Sequence, residues 1–285
     1  MRIVISLDIE GCSGVASLRE TGYPREPIGD PQANPDYLTA RRWLTGDVNA
    51  AVEGALEAGA TAFVLHDSHG LDYRNVILDE LHPSVEVVRG APIIFYECDD
   101  LATSYDATFL IGMHARAGQA GILSHVLDWP LVQEVRINGR PVGESQLSAA
   151  VAGYYGIPTV LVTGDDVVCA EMAEWMHGQV ETAIVKTSLS RYAARCLPLP
   201  VARQRIREAA YRAVKRIPQA RPVLFERPIT LEVDTVDRQI ARYISWMPGI
   251  EYDGNCTVCY TNHDFLSIYK ALLAVFWMLQ SRLNP

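Results

Sequence analysis

Three short apolar runs, each stopping at a polar cluster, decide what this chain can fold into. Arg2-Ile3-Val4-Ile5-Ser6 opens the sequence, Thr61-Ala62-Phe63-Val64-Leu65 follows, and Thr108-Phe109-Leu110-Ile111-Gly112 comes third. Their aliphatic and β-branched content, free of internal breakers, predicts buried strands. Val85-Glu86-Val87-Val88 reads as another strand, and Leu38 to Leu56 as a helix ending at Gly59. Apolar strands separated by helical segments predict an α/β fold, a mostly parallel, Rossmann-like sheet covered by helices. Sites in such sheets gather at the carboxyl ends of the strands.

The polar clusters stand at those ends. Asp8-Ile9-Glu10-Gly11 follows the first run, His66-Asp67-Ser68-His69-Gly70 the second, and Met113-His114-Ala115-Arg116 the third. Residues two apart on an extended chain face the same way, so Asp8 and Glu10 present paired carboxylates. Two like charges that close are unfavourable unless something cationic sits between them.

The chain continues through Val135 to Arg140, a strand running into the Asn138-Gly139 turn, and then Pro141-Val142-Gly143-Glu144. A helix is expected through Tyr155, a strand at Thr159 to Val162 ending in Gly164-Asp165-Asp166, and a helix from Val168 to His177. Past residue 180 the pattern changes. A strand near Ala183, a basic helix from Val201 to Arg216, and extended segments at Ile229 to Val233 and Cys256 to Tyr260 precede a last helix that starts after Asp264, a good N-cap. The expected organisation is a metal-binding α/β catalytic domain over 1–180 and a smaller C-terminal α+β lobe over 181–285. The polar stretch Leu18 to Pro35, long for a simple connection, reads as a functional or interface loop.

Charge and cysteine narrow the function class. A chain of 285 residues can bury a full core, and its formal net charge of -9 argues against nucleic acid as a partner. No stretch reaches membrane-spanning length, and the N-terminus enters a strand directly, so a cytoplasmic protein is expected. The six cysteines are scattered as reduced thiols are. Cys256-Thr-Val-Cys259 has no second ligand pair beside it and reads as two strand cysteines.

Of the seven histidines, His69 and His114 stand at strand ends, and His125 lies in Ile122-Leu123-Ser124-His125. His82, His177 and His263 read as solvated or structural. His66 shares a strand end with His69, and positions three apart on an extended chain face opposite ways, so one of the two faces the site. Asp8, Glu10, His69 and His114 form an oxygen and nitrogen ligand set without thiolates, which suits zinc, manganese or iron(II). With a further acid such as Glu144, the set exceeds what one catalytic zinc needs and fits a pair of metals bridged by a carboxylate. Hydrolysis is the chemistry such a pair serves.

Taken together, Ser6-Leu7-Asp8-Ile9-Glu10-Gly11-Cys12-Ser13-Gly14, Asp67-Ser68-His69, Gly112-Met113-His114-Ala115-Arg116-Ala117, Ser124-His125, Asn138 to Glu144, Val162 to Asp166 and Val185 to Arg191 resemble the zinc-dependent D-aminopeptidases of the M55 peptidase family, once labelled dipeptide transport proteins. The resemblance implies Asp8 as a bridging carboxylate, with Glu10 and His69 completing one zinc and His114 and Glu144 the other. It implies His125 as a catalytic histidine, and a homo-oligomer, a decamer of two stacked pentameric rings. His66 stands where the family pattern has Asn, and Cys12 where it has a larger aliphatic residue; neither removes a ligand.

The expected function is a dinuclear zinc aminopeptidase that releases the N-terminal residue, a D-amino acid by the resemblance, from short peptides or aminoacyl amides. A metal-dependent amidase on a non-peptide amide is the alternative within enzymes. A peptide-binding accessory protein of a transport system is the alternative outside them, and it has no need for five convergent ligands.

Overall fold

The computed structural model describes residues 1–22, 34–70, 74–90, 105–127 and 131–283. Most of the Leu18 to Pro35 loop and Cys98 lie outside the described residues. The elements in chain order are β1 (Arg2–Leu7), α1 (Pro35–Glu57), β2 (Ala62–Asp67), β3 (Val85–Val88), β4 (Ala107–Met113), β5 (Val132–Ile137), β6 (Arg140–Val142), α2 (Glu144–Tyr154), β7 (Thr159–Asp165), α3 (Asp166–Trp175), β8 (Glu181–Ser190), β9 (Ala193–Cys196), α4 (Leu199–Arg216), β10 (Ile229–Thr235), α5 (Arg238–Ile244), β11 (Glu251–Tyr252), β12 (Thr257–Asn262) and α6 (Phe265–Leu283).

The strands form two sheets. The larger has the order β3-β2-β1-β4-β7-β8-β9, parallel up to β8, with β9 antiparallel at the edge. The strand order reverses between β1 and β4, which makes that crevice the switch point where ligand sites form in open α/β sheets. The second sheet, β11-β12-β10-β5-β6, is antiparallel throughout. Its β5–β6 hairpin turns at Asn138 and Gly139, both at positive φ (52° and 74°), as an Asn-Gly turn requires.

Alternation along β1 explains the layering. Ile3, Ile5 and Leu7 pack with α1 and α4 in one core, while Val4 points to the opposite core, built from α2, α6 and the second sheet. Burial of both faces is why the strand reads as a continuous apolar run. The sheets partition the chain elsewhere than at residue 180. β5 and β6 belong to the antiparallel layer, and β8, β9 and α4 to the parallel one. Cys256 and Cys259 are unbridged, and Cys259 sits on β12. The last helix is capped as its sequence implies, with Asp264 Oδ2 accepting from Ser267 N at 2.8 Å.

Two glycines let β1 and β4 close on one another. Gly112 adopts φ +73°, and a Cβ there would stand 2.2 Å from the Asp8 carbonyl oxygen. A Cβ on Gly11 would meet the Met113 carbonyl oxygen at 1.8 Å, where its own N–H donates to Gly112 O at 2.8 Å. Only glycine fits so close a backbone approach. The approach carries Asp8, Glu10 and His114 into one crevice.

Candidate metal centre

Asp8 leaves β1 with its N–H still in the ladder, donating to Ile111 O at 2.8 Å. Glu10 lies beyond the ladder on a turn, and both carboxylates are buried. His69 follows β2 on a turn that Asp67 organises. Asp67 accepts from the backbone of Asn75 and Val76 and from the Asn75 side chain, and that side chain donates to the His69 carbonyl at 2.9 Å. His114 follows β4. Glu144 begins α2 directly after β6, where the helix N-terminus favours its negative charge.

The structure brings all six sequence-predicted residues together in two abutting groups. His69 Nδ1 lies 2.9 Å from Asp8 Oδ1 and 3.3 Å from Glu10 Oε2. His114 Nε2 lies 3.3 Å from the other Asp8 oxygen, Oδ2, and 3.4 Å from Glu144 Oε1. His125 Nε2 lies 3.7 Å from the same Glu144 oxygen, and its ring stacks on His114 at 4.0 Å between centroids. Asp8, Glu10 and His69 form one donor triad and His114, His125 and Glu144 a second; within each, the donor atoms lie within 4.8 Å of one another. His66 stays buried in β2, paired in register with Ser6, while His69 faces the crevice. His82 is half-buried against Asn49, His177 ends α3 at positive φ, and His263 is exposed.

Each of the three histidines donates its outer ring nitrogen to a backbone carbonyl. His69 Nε2 donates to Thr21 O (2.9 Å), His114 Nδ1 to Ala115 O (2.9 Å) and His125 Nδ1 to Leu123 O (2.8 Å). The inner nitrogen of each is thereby aimed at the carboxylates, the arrangement that orients imidazoles for metal binding. Glu10 Oε2 and His114 Nε2 are buried without a hydrogen bond. A buried polar atom left so is costly unless another partner serves it, and an ion between the donors would serve both. The donor set therefore fits bound metal.

Electrostatics divides the histidines. Burial opposes charge on His69 and His114, yet the carboxylates of Glu10, Asp8 and Glu144 hold both well above the ordinary imidazole range. Burial likewise pushes Asp8 up, but the imidazoles of His114 and His69 beside it hold it well below the usual carboxylate range, and His114 lowers Glu144 in the same way. His125 goes the other way. Burial, then the neighbouring His114, lower it, so it is neutral at neutral pH.

The His125 segment is held from β7 and β8. Asp165 Oδ2 accepts from Ile122 N (2.7 Å) and from Ser188 Oγ (2.7 Å), and Leu123 N donates to Arg191 O (2.7 Å). Leu123 and Leu127, on either side of His125, take positive φ of 49° and 50°. Backbone held in that region marks sites where the surroundings over-determine geometry. In the sequence Asp165 stands at a strand end with no role assigned, although the strand-end criterion that picks out His69 applies to it equally.

The family model described as "D-aminopeptidase", Peptidase M55, matches residues 1–274. A curated D-aminopeptidase of Bacillus subtilis (strain 168) is 31% identical over 277 residues, 96% of each chain. A solved structure described as the Zn-dependent D-aminopeptidase DppA from Bacillus subtilis, a self-compartmentalizing protease, superimposes with a TM-score of 0.87 at 29% identity, covering 98% of each chain.

Proposed function

The chain belongs to the M55 family of D-aminopeptidases, and from that premise we propose that it is a dinuclear zinc aminopeptidase acting on short peptides or aminoacyl amides with an N-terminal D-residue. That it is a metallo-aminopeptidase follows from the family and its zinc-dependent structural relative. One observation supports two metals above all: the oxygens of Asp8 face opposite triads, Oδ1 toward His69 and Oδ2 toward His114. Asp8 would then serve both metals, with Glu10 and His69 holding one and His114 and Glu144 the other. Bound zinc supplies Lewis acidity and acidifies water, so that hydroxide is available at neutral pH.

The remaining chemistry falls to the protein. His125 carries its proton on Nδ1, bound to the Leu123 carbonyl, which leaves the Nε2 lone pair facing the crevice. Neutral at working pH, it accepts a proton at Nε2 from the attacking water and returns it to the departing amine. Leu127 N donates to Glu144 Oε1 at 2.9 Å and holds that carboxylate in place. We further propose a homo-oligomer, a decamer of stacked pentameric rings, a reading that rests on the family resemblance and on the self-compartmentalizing relative.

The test is a zinc titration of stripped protein run beside hydrolysis of paired D- and L-aminoacyl amides. Saturation at about two ions per chain with preference for the D-series is expected. One ion at saturation rejects the dinuclear reading, and equal or greater activity on the L-series rejects the substrate reading.

A further inference from the structure

Lys186, on β8, is the one large cationic side chain among the most deeply buried of the described residues, 1% exposed. Its Nζ directs its protons to three backbone carbonyls, Glu10 O at 2.6 Å, Cys12 O at 2.8 Å and Val15 O at 2.6 Å. All three belong to the turn that carries Glu10 out of β1. Burying an ammonium costs several kcal/mol unless its protons are satisfied, and burial lowers this one from its ordinary value. So costly a group needs a reason to be there.

Position supplies one. Asp8 is fixed by the sheet itself, through its ladder bond to Ile111. Glu10 is past the ladder, on a turn closed by Cys12 N donating to Ile9 O at 3.1 Å. The Glu10 carboxylate reaches the His69 side of the centre, and its carbonyl turns inward toward β8. Carbonyls of residues 10, 12 and 15 converging on one point would repel one another without a positive charge at the focus. An apolar side chain there would fill the space and leave three acceptors unserved.

We infer that Lys186 is a positioning residue for the metal centre, its ammonium gathering the carbonyls of Glu10, Cys12 and Val15 and so setting the direction in which Glu10 presents its carboxylate to Asp8 and His69. The inference rests on the reading of Asp8, Glu10 and His69 as metal ligands. It predicts an asymmetric defect, because Lys186 touches the turn of one triad and no residue of the other.

Stripped wild-type and Lys186→Met proteins, titrated with zinc against a competing chelator, separate the possibilities. Wild type should load in two steps. In Lys186→Met one step should weaken by about 10–100-fold, as the loss of a ligand-orienting partner does, while the other keeps its strength. Lys186→Ala should show the same weak step and recover it saturably with added ammonium or ethylammonium chloride, but not with sodium chloride at equal ionic strength. Both steps at wild-type strength with only a lower melting temperature overturns the inference, as does recovery with sodium chloride or none with ammonium. Should Lys186→Met fail to fold, Lys186→Gln, which keeps two donors on a shorter arm, is read by the same titration. A wild-type protein that loads a single ion overturns the two-metal reading instead, and the Lys186 variants are then judged on that one site.

Discussion

At the scale of single residues, His125 differs from His69 and His114 in charge more than in distance. It shares Glu144 with His114, yet burial and the neighbouring His114 lower its pKa, while in the zinc-free protein the carboxylates raise those of His69 and His114. A neutral imidazole whose Nε2 is unprotonated suits proton transfer. His125→Ala should therefore keep both metals and lower kcat by about 10²–10⁴. His114→Ala should lose metal together with activity, because affinity depends on every coordinating group. Metal content and kcat measured on the same preparations check both; a metal-depleted His125→Ala would contradict the assignment.

The elevated imidazoles also fix a pH dependence. A group whose pKa rises on folding lends stability fully below its unfolded value, about 6.5 for histidine, and that stability is lost as pH climbs through the folded value. The zinc-free protein should therefore weaken above neutrality. Zinc needs the lone pairs that those protons occupy, so its affinity should rise over the same range. The melting-temperature gap between zinc-loaded and zinc-free protein should be wider at about pH 8 than at about pH 6. Differential scanning fluorimetry at the two values decides it; a gap that narrows with pH would show that the imidazoles do not carry those protons.

At the scale of elements, the strand ends of β1, β2 and β4 deliver Asp8, His69 and His114, and the β7 end delivers Asp165 to hold the loop of His125. Asp165 accepts from Ile122 N through Oδ2 and from Val168 N through Oδ1, so Asp165→Asn sets its amide donor against one backbone N–H or the other, and neither can turn away. The expected cost is roughly 1–3 kcal/mol of stability. A displacement of His125 by about 1 Å would add a fall in kcat on the order of 10², with zinc content intact. Metal analysis, kcat and thermal unfolding on one preparation test this, and wild-type kcat in a destabilised variant would confine Asp165 to stability.

The same elements show which features could be read from the sequence. β1, β2, β4 and β7 announce themselves because both faces are buried, so each carries a run of consecutive apolar residues. The second sheet does not. β5 and β6 look like an ordinary hairpin between two parallel strands, and nothing local says that they pair with β10, nearly a hundred residues later. Glu144 enters from the sequence only as an example of a further acid, and the family pattern is what gives it a place on one zinc. Nothing in the residues around Lys186 marks it as buried. Its burial follows from the turn of residues 10–15 lying across β8, a tertiary fact without a local trace.

At the scale of the whole molecule, the assembly is open to direct measurement. Multi-angle light scattering should give a mass many times the 31.5 kDa of one chain. A mass near that value would remove the oligomer. No helix of the described residues is long and apolar enough to cross a membrane.

The way the two sheets share the chain has a consequence for how such a molecule can be inherited. β5 and β6 leave the parallel layer for the antiparallel one, and β7 to α4 return to the first. A cut at residue 180 would part β7 from β8, and with it Asp165 from Ser188 and Glu10 from Lys186. Neither piece could be traded to another protein as a working cassette, since each would lack the neighbours that hold its chemistry in place. The matches to the Bacillus subtilis D-aminopeptidases cover 96% and 98% of this chain, so both sheets and the strands that pass between them are shared as one piece.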